Sequence, residues 1–95
     1  KNKWKIYPAD GVYAVKISVD EMVYNGMMNI GIKPTIGDDS KTLEVNIFDF
    51  NQDIYGQNIE IRFVKRIRDE RKFEDLTCLK EQLIIDRNRA QQILV

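Results

Sequence analysis

The chain has 95 residues, and its 15 Lys and Arg balance 15 Asp and Glu, so the formal net charge is zero. That length suits one small domain, and a neutral total argues against a broad nucleic-acid or membrane-surface footprint. With no His and a single Cys, His-based triads, His metal ligands, disulfide frameworks and Cys-cluster zinc sites are excluded, and the lone thiol fits a reducing, cytoplasmic setting.

No apolar run approaches the roughly 20 residues of a membrane span, and no secretory signal opens the chain. Charge is unevenly spread. Residues 38–60 carry Asp38, Asp39, Glu44, Asp49, Asp53 and Glu60 against Lys41 alone. Residues 62–72 carry Arg62, Lys65, Arg66, Arg68, Arg71 and Lys72 against Asp69 and Glu70. The neutral total hides an acidic segment followed by a basic one, which can be no more than two solvated surfaces of opposite sign.

Pro8-Ala9-Asp10-Gly11 signals a turn. Tyr13, Val15, Ile17 and Val19 then alternate with Val12, Ala14, Lys16 and Ser18, the period-2 pattern of a strand. Asp20-Glu21 predicts a tight hairpin, and Met22 to Ile32 returns as a second strand. Gly26 and Gly31 within it point to a bulge or a close backbone approach. Pro34 to Ser40 reads as a loop, Leu43 to Phe50 as a third strand and Asn51 to Gln57 as a turn. Asn58 to Arg68 reads as a fourth strand, with Ile59, Ile61 and Phe63 on one face and Glu60, Arg62 and Arg66 on the other. The period then changes. Leu76, Leu79, Leu83, Ala90 and Leu94 recur at helical spacing, widened by Ile84 and Ile93, and Asp75 is the expected N-cap. The pattern is an antiparallel meander closed by one helix. Four strands cannot close a barrel alone, so open edges or further strands are expected.

The third strand carries the first candidate chemistry. Alternation puts Glu44, Asn46, Phe48 and Phe50 on one face and Leu43, Val45, Ile47 and Asp49 on the other. A carboxylate beside aromatic rings is partly desolvated, which favours its protonated form and suits a general base. A surface Glu at a strand end explains the same pattern. The basic segment Arg66-Ile67-Arg68-Asp69-Glu70-Arg71-Lys72-Phe73 links the last strand to the helix. Its Arg side chains can clamp phosphate or a planar polar ring through charge-assisted bonds. Phe73 can stack on an aromatic ligand, or it can be a hydrophobic staple for the helix start. Gly31-Ile32-Lys33-Pro34-Thr35 lacks the Gly-rich cradle of a phosphate loop.

In order along the chain, Pro8-Ala9-Asp10-Gly11-Val12-Tyr13-Ala14-Val15, Asn29-Ile30-Gly31-Ile32-Lys33-Pro34-Thr35, Leu43 to Phe50, Asp53-Ile54-Tyr55-Gly56, Ile67 to Phe73 and Leu79 to Asp86 resemble the riboflavin kinase domain. The likeness is to the C-terminal half of bacterial bifunctional riboflavin kinase/FAD synthetases. The resemblance implies a mainly β fold, a small antiparallel Greek-key β-barrel with a C-terminal α-helix, in one domain over residues 1–95. It implies transfer of the γ-phosphate of ATP to the ribityl 5′-hydroxyl of riboflavin, giving FMN and ADP. On this resemblance Glu44 is the catalytic base. Ile47, Asp49 and Tyr55 match nucleotide contacts, and Arg68, Arg71 and Phe73 match the segment that folds over the flavin. A covalently linked FMN adenylyltransferase domain is implied as partner, with no nucleic acid and no membrane.

One departure stands out. The Gly-rich stretch ending in Pro-Thr-Ala-Asn, which holds ATP and Mg²⁺ in the family, precedes the Pro-Ala-Asp-Gly block, and nothing before Pro8 matches it. Pro34-Thr35 is followed by Ile36-Gly37 and sits elsewhere in the order, so no metal role goes to Thr35. With Lys1 in place of Met, this gives the expectation of a domain lacking its opening strands, with the ligands for Mg²⁺ upstream and little activity alone. The competing reading is a non-catalytic flavin- or nucleotide-binding barrel. An RNA-binding barrel is disfavoured by the acidic third strand.

Overall fold

The computed structural model describes residues 9–35, 38–51 and 56–95. Four antiparallel strands are followed by one helix: β1 (Gly11–Val19), β2 (Met22–Thr35), β3 (Asp38–Ile47), β4 (Ile59–Arg68) and α1 (Leu76–Leu94). The strand order is β3-β2-β1-β4. The first three strands form hairpins and the fourth returns beside the first, which is Greek-key order. The mainly β class with a C-terminal helix is as expected, and the sheet fits the wall of a small barrel. Among the described residues β3 and β4 are its two edges.

β1 is central and buried on both faces, so its sequence is apolar almost throughout. Tyr13, Val15, Ile17 and Val19 form one core with Met28 and Ile30, joined by Tyr24, Ile47, Phe50 and Ile61. Ala14 faces the other way, into a second core with Met27, Phe48, Ala90 and Leu94 under the helix. Each fully buried Ile or Val contributes about 1.5–3 kcal/mol, and Val15 and Ile17 both reach zero exposure.

Asp20 and Glu21 close the first hairpin, with Val19 opposite Met22. Asp20 takes φ 54°, a left-handed conformation that Asp tolerates better than most residues. Gly26 answers the question raised by its place in a strand. A Cβ there would lie 2.5 Å from Asn46 O and 2.6 Å from Ile17 Cδ1, so the strand needs glycine to let a neighbouring backbone and side chain approach.

Three expectations need correction. The segment from Pro34 to Ser40 is not simply a loop: β2 continues to Thr35, and β3 begins at Asp38, with Thr35 paired to Asp38. Strand pairing beyond the apolar run extends both elements. The third strand also stops at Ile47 rather than Phe50. Asp49 takes φ 56° in a turn, which breaks the alternation and sends Phe50 to the opposite core, edge-on to Tyr24 at 4.8 Å between ring centres.

The third correction concerns β4, which carries two register shifts against β1, between Val12 and Tyr13 and between Ala14 and Val15. Such bulges insert a residue and reverse the facing of the side chains beyond them. Arg66 therefore lies opposite Tyr13, on the face of Phe63, not against it. Lys65 and Arg68 turn to the helix side, opposite Ala14 and Val12.

Asp75 caps the helix as expected, its Oδ1 accepting from the Cys78 N–H at 2.9 Å. The apolar stripe is buried only in its second half, at Ala90 and Leu94. On the same stripe Leu76 is 70% and Leu83 38% exposed, because the first half of the helix stands off the sheet, whereas Ile84, 62% exposed, lies off the stripe and faces solvent. At the far end the Lys16 ammonium donates to Leu94 O at 3.3 Å and to Asn25 Oδ1 at 2.7 Å. A cation is thereby placed at the negative end of the helix.

Candidate active site

The space between the standing-off half of α1 and the sheet is a groove of about 230 Å³. Leu79 and Leu83 form its helix wall, and Val12, Met27, Asn29, Glu44 and Asn46 line the sheet side. Glu44 reaches it because β3 pairs with β2 in a register that sets Glu44 opposite Asn29 and Asn46 opposite Met27. All four residues share the helix-side face of the sheet. Glu44 is exposed at the groove. The aromatic wall expected around it is absent: Phe48 is buried under the helix and Phe50 lies in the opposite core. Aliphatic side chains of the helix take that place.

Asn29 Oδ1 is buried and accepts no hydrogen bond. A buried acceptor without a donor is costly, and the exceptions mark places where another group belongs. The groove therefore presents an exposed carboxylate between apolar walls, with the buried amide oxygen of Asn29 on the paired strand beside it. That combination suits a ligand with an apolar body and hydroxyl groups.

The end of β4 and the segment after it are tied to the helix. The two bulges aim Arg68 at the helix, where Nε donates to Asp86 Oδ1 at 2.9 Å and Nη2 donates to Asp86 Oδ2 at 2.8 Å. Asp86 has zero exposure and the Arg68 side chain 13%. Gln82 Nε2 also donates to Asp86 Oδ1, at 3.0 Å, and Arg68 Nη1 donates to Asp69 O at 2.9 Å. The Arg68 guanidinium carbon stands 5.7 Å from the centre of the Phe73 ring, and that of Arg71 stands 4.8 Å from it. Arg71 is otherwise exposed, with one long contact of 3.4 Å to Gln82 Oε1. Of the three flavin-side residues expected from sequence, Arg68, Arg71 and Phe73 thus form one cluster, with Arg68 committed to the protein and Arg71 facing solvent.

Gly31 belongs to the same face. A Cβ on it would meet the Glu70 carboxylate at 2.7 Å. Glycine there lets Glu70 lie flat on the sheet, with Oε1 buried and without a donor.

Ile47 and Asp49 are not brought to this groove. Ile47 packs against the opposite core. Asp49 is exposed in its turn, 3.9 Å from Arg87 Nη2, and lines a separate cleft of about 550 Å³ with Lys16, Tyr24 and Asn25. Tyr55 lies outside the described residues.

Arg66 is held above its usual range, chiefly by its bond to Asp69, at 2.7 Å, and then by Tyr13. It also donates to Asp10 O. The Asp75 carboxyl is held below its usual range by the Cys78 backbone N–H that it caps. Among the described residues no three acidic or thiol side chains gather as a cation site. No helix among them is long and apolar enough to cross a membrane.

Asp86 and Asn29 were not singled out from sequence as site residues. Asp86 had a signal: it falls in phase with Leu79, Leu83, Ala90 and Leu94, and a charge on an apolar stripe demands a buried partner. Asn29 had none, since only the β2–β3 register sets it against Glu44.

Comparison with known proteins places this geometry. The chain matches the flavokinase (riboflavin kinase) family over residues 1–94. It is 49% identical over 92 residues to a bifunctional riboflavin kinase/FMN adenylyltransferase of Bacillus subtilis, covering 94% of this chain and 29% of that protein. An RNA-binding riboflavin kinase (RibR) of the same organism is 47% identical over 75 residues, covering 78% of this chain and 33% of that protein. A solved structure described as a macrolide-efflux protein from Streptococcus pneumoniae superposes with TM-score 0.82 at 40% identity, covering 90% of this chain and 28% of that one. The chain thus spans about a third or less of the length of these relatives.

Proposed function

The chain belongs to the riboflavin kinase family, and from that membership we propose that it carries the acceptor side of riboflavin phosphorylation by ATP. The observation that carries this reading is the pairing of Glu44 with Asn29 in a groove with aliphatic walls. The ring system of riboflavin would lie against Leu79 and Leu83, and its ribityl chain would bring hydroxyl groups to Glu44 and Asn29. Glu44 would accept the proton of the 5′-hydroxyl as its oxygen attacks the γ-phosphorus. The bond to the β-phosphate bridging oxygen breaks, and ADP leaves. Most of the acceleration in such transfers comes from positioning and charge neutralisation rather than from the base.

In this reading Arg71 and Phe73 cover the flavin, with Arg68 fixing their base. Asp49 would serve the nucleotide from the neighbouring cleft, with Ile47 and Tyr55 as further nucleotide contacts by family likeness. Mg²⁺ is expected to accompany ATP. Its ligands are proposed to lie outside these 95 residues. Relatives that carry the name bifunctional riboflavin kinase/FMN adenylyltransferase support a linked adenylyltransferase domain in the parent protein. Consumption of ATP fits the cytoplasm.

The test is FMN formation by the parent protein and by its Glu44→Gln variant, with riboflavin binding followed by fluorescence quenching. Loss of a general base costs about 10²–10⁴ in rate. The reading expects that loss in kcat with riboflavin affinity held within a few-fold. Turnover preserved in the variant removes Glu44 from the chemistry. Saturable quenching without any turnover by the parent protein leaves a flavin-binding module in place of a kinase.

A further inference from the structure

A charge at zero exposure in the middle of a helix needs a reason. Asp86 is the fully buried ionisable residue among those described, and its carboxylate takes Arg68 in a two-point grip, with Gln82 as a third donor. Paired buried charges often contribute little net stability over apolar residues of similar volume. What such a pair does supply is direction, because a planar guanidinium on a carboxylate has one orientation.

That orientation propagates. Arg68 ends β4, and its guanidinium faces Phe73 while bonding Asp69 O. Phe73 in turn carries Arg71 on its ring, and Arg71 touches Gln82, one turn before Asp86 on the helix. The loop between β4 and α1 is thereby pinned at its root by a strong buried pair and at its tip by a long exposed contact. We propose that Asp86 is a positioning residue for the flavin. It consumes Arg68, keeping that guanidinium away from substrate, so that Phe73 and Arg71 are presented over the Leu79–Leu83 wall at the groove.

The inference rests on the riboflavin kinase reading and deepens it. It separates the root of the segment, which sets geometry, from its tip, which touches ligand. Asp86 should then govern how well riboflavin is held, and not the rate of transfer once it is bound.

The experiment uses the full-length parent protein, varying riboflavin and ATP separately in an FMN-formation assay and reading riboflavin Kd by fluorescence quenching. Asp86→Asn keeps the shape and loses the charge. It should raise KM and Kd for riboflavin by about tenfold or more, with kcat within about threefold and KM for ATP unchanged. Asp86→Glu should recover part of the loss. The double variant Arg68→Met with Asp86→Leu restores an apolar, well-packed contact, so it folds without the grip and should keep the riboflavin defect. A folded Asp86→Asn or double variant with riboflavin KM and Kd within about twofold of the parent overturns the proposal. So does an equal loss toward both substrates. A parent protein that binds riboflavin without turnover defeats the kinase reading alone, and Kd still decides the role of Asp86.

Discussion

Removing one member of the Arg68–Asp86 pair should be the most damaging single change to stability in the described structure. Arg68→Ala takes three of the four hydrogen bonds that reach the Asp86 carboxylate and leaves only Gln82 Nε2, at 3.0 Å. Asp86 has zero exposure, so water cannot replace the lost donors. Stranding one charge of a buried pair costs about 3–5 kcal/mol. A domain of this size has only about 5–15 kcal/mol in total. At roughly 4–8 °C per kcal/mol for so small a domain, the midpoint should fall by at least about 12 °C. Urea unfolding followed by far-ultraviolet circular dichroism reads the change. Arg68→Met with Asp86→Leu supplies the contrast, since it removes both charges and should recover most of the loss. A cost below about 1 kcal/mol for Arg68→Ala, the level of an exposed ion pair, would show that Asp86 is hydrated and that the burial argument is wrong.

Gly26→Ala should destabilise by about 1–3 kcal/mol in the same measurement, because the new methyl group meets Asn46 O and Ile17 Cδ1 at near 2.6 Å. Asn29→Leu removes the buried acceptor beside Glu44; riboflavin affinity should fall while the fold is kept, and unchanged affinity would take Asn29 out of the binding groove. Phe73→Ala should weaken riboflavin quenching and leave KM for ATP in place. The Asp75 cap predicts a pH effect of definite sign. Its carboxyl sits below the ordinary value of 3.8 in the folded chain, so its contribution is complete above that value and is lost as pH falls through the folded pKa. The stability difference between the parent and Asp75→Asn should therefore be flat near neutrality and shrink below about pH 4, as followed by urea midpoints across an acid series.

Much of this molecule was legible from local chemistry. The period-2 run of β1, the Asp20–Glu21 hairpin and the Asp75 cap follow from backbone preferences that act within a few residues. Glu44 was legible as a carboxylate sharing a face with Asn46, and the family that the ordered stretches resemble is the one matched over residues 1–94. Two of the errors share one cause. Alternation was extended through Asp49 and through β4, where a left-handed turn and two bulges change which way the next side chain faces. Nothing in the local sequence marks a bulge whose position is set by pairing with β1.

The residues alone therefore determined which elements form and which side chains could do chemistry, because both depend on short-range preference and residue type. Only the tertiary structure decided which of those side chains meet. Register put Asn29 against Glu44, the bulges of β4 turned Arg68 onto Asp86, and the standing-off half of the helix opened the groove between them. Those are consequences of strand pairing and of two cores packed on opposite faces of one sheet, and they arise from contacts between residues far apart in the chain.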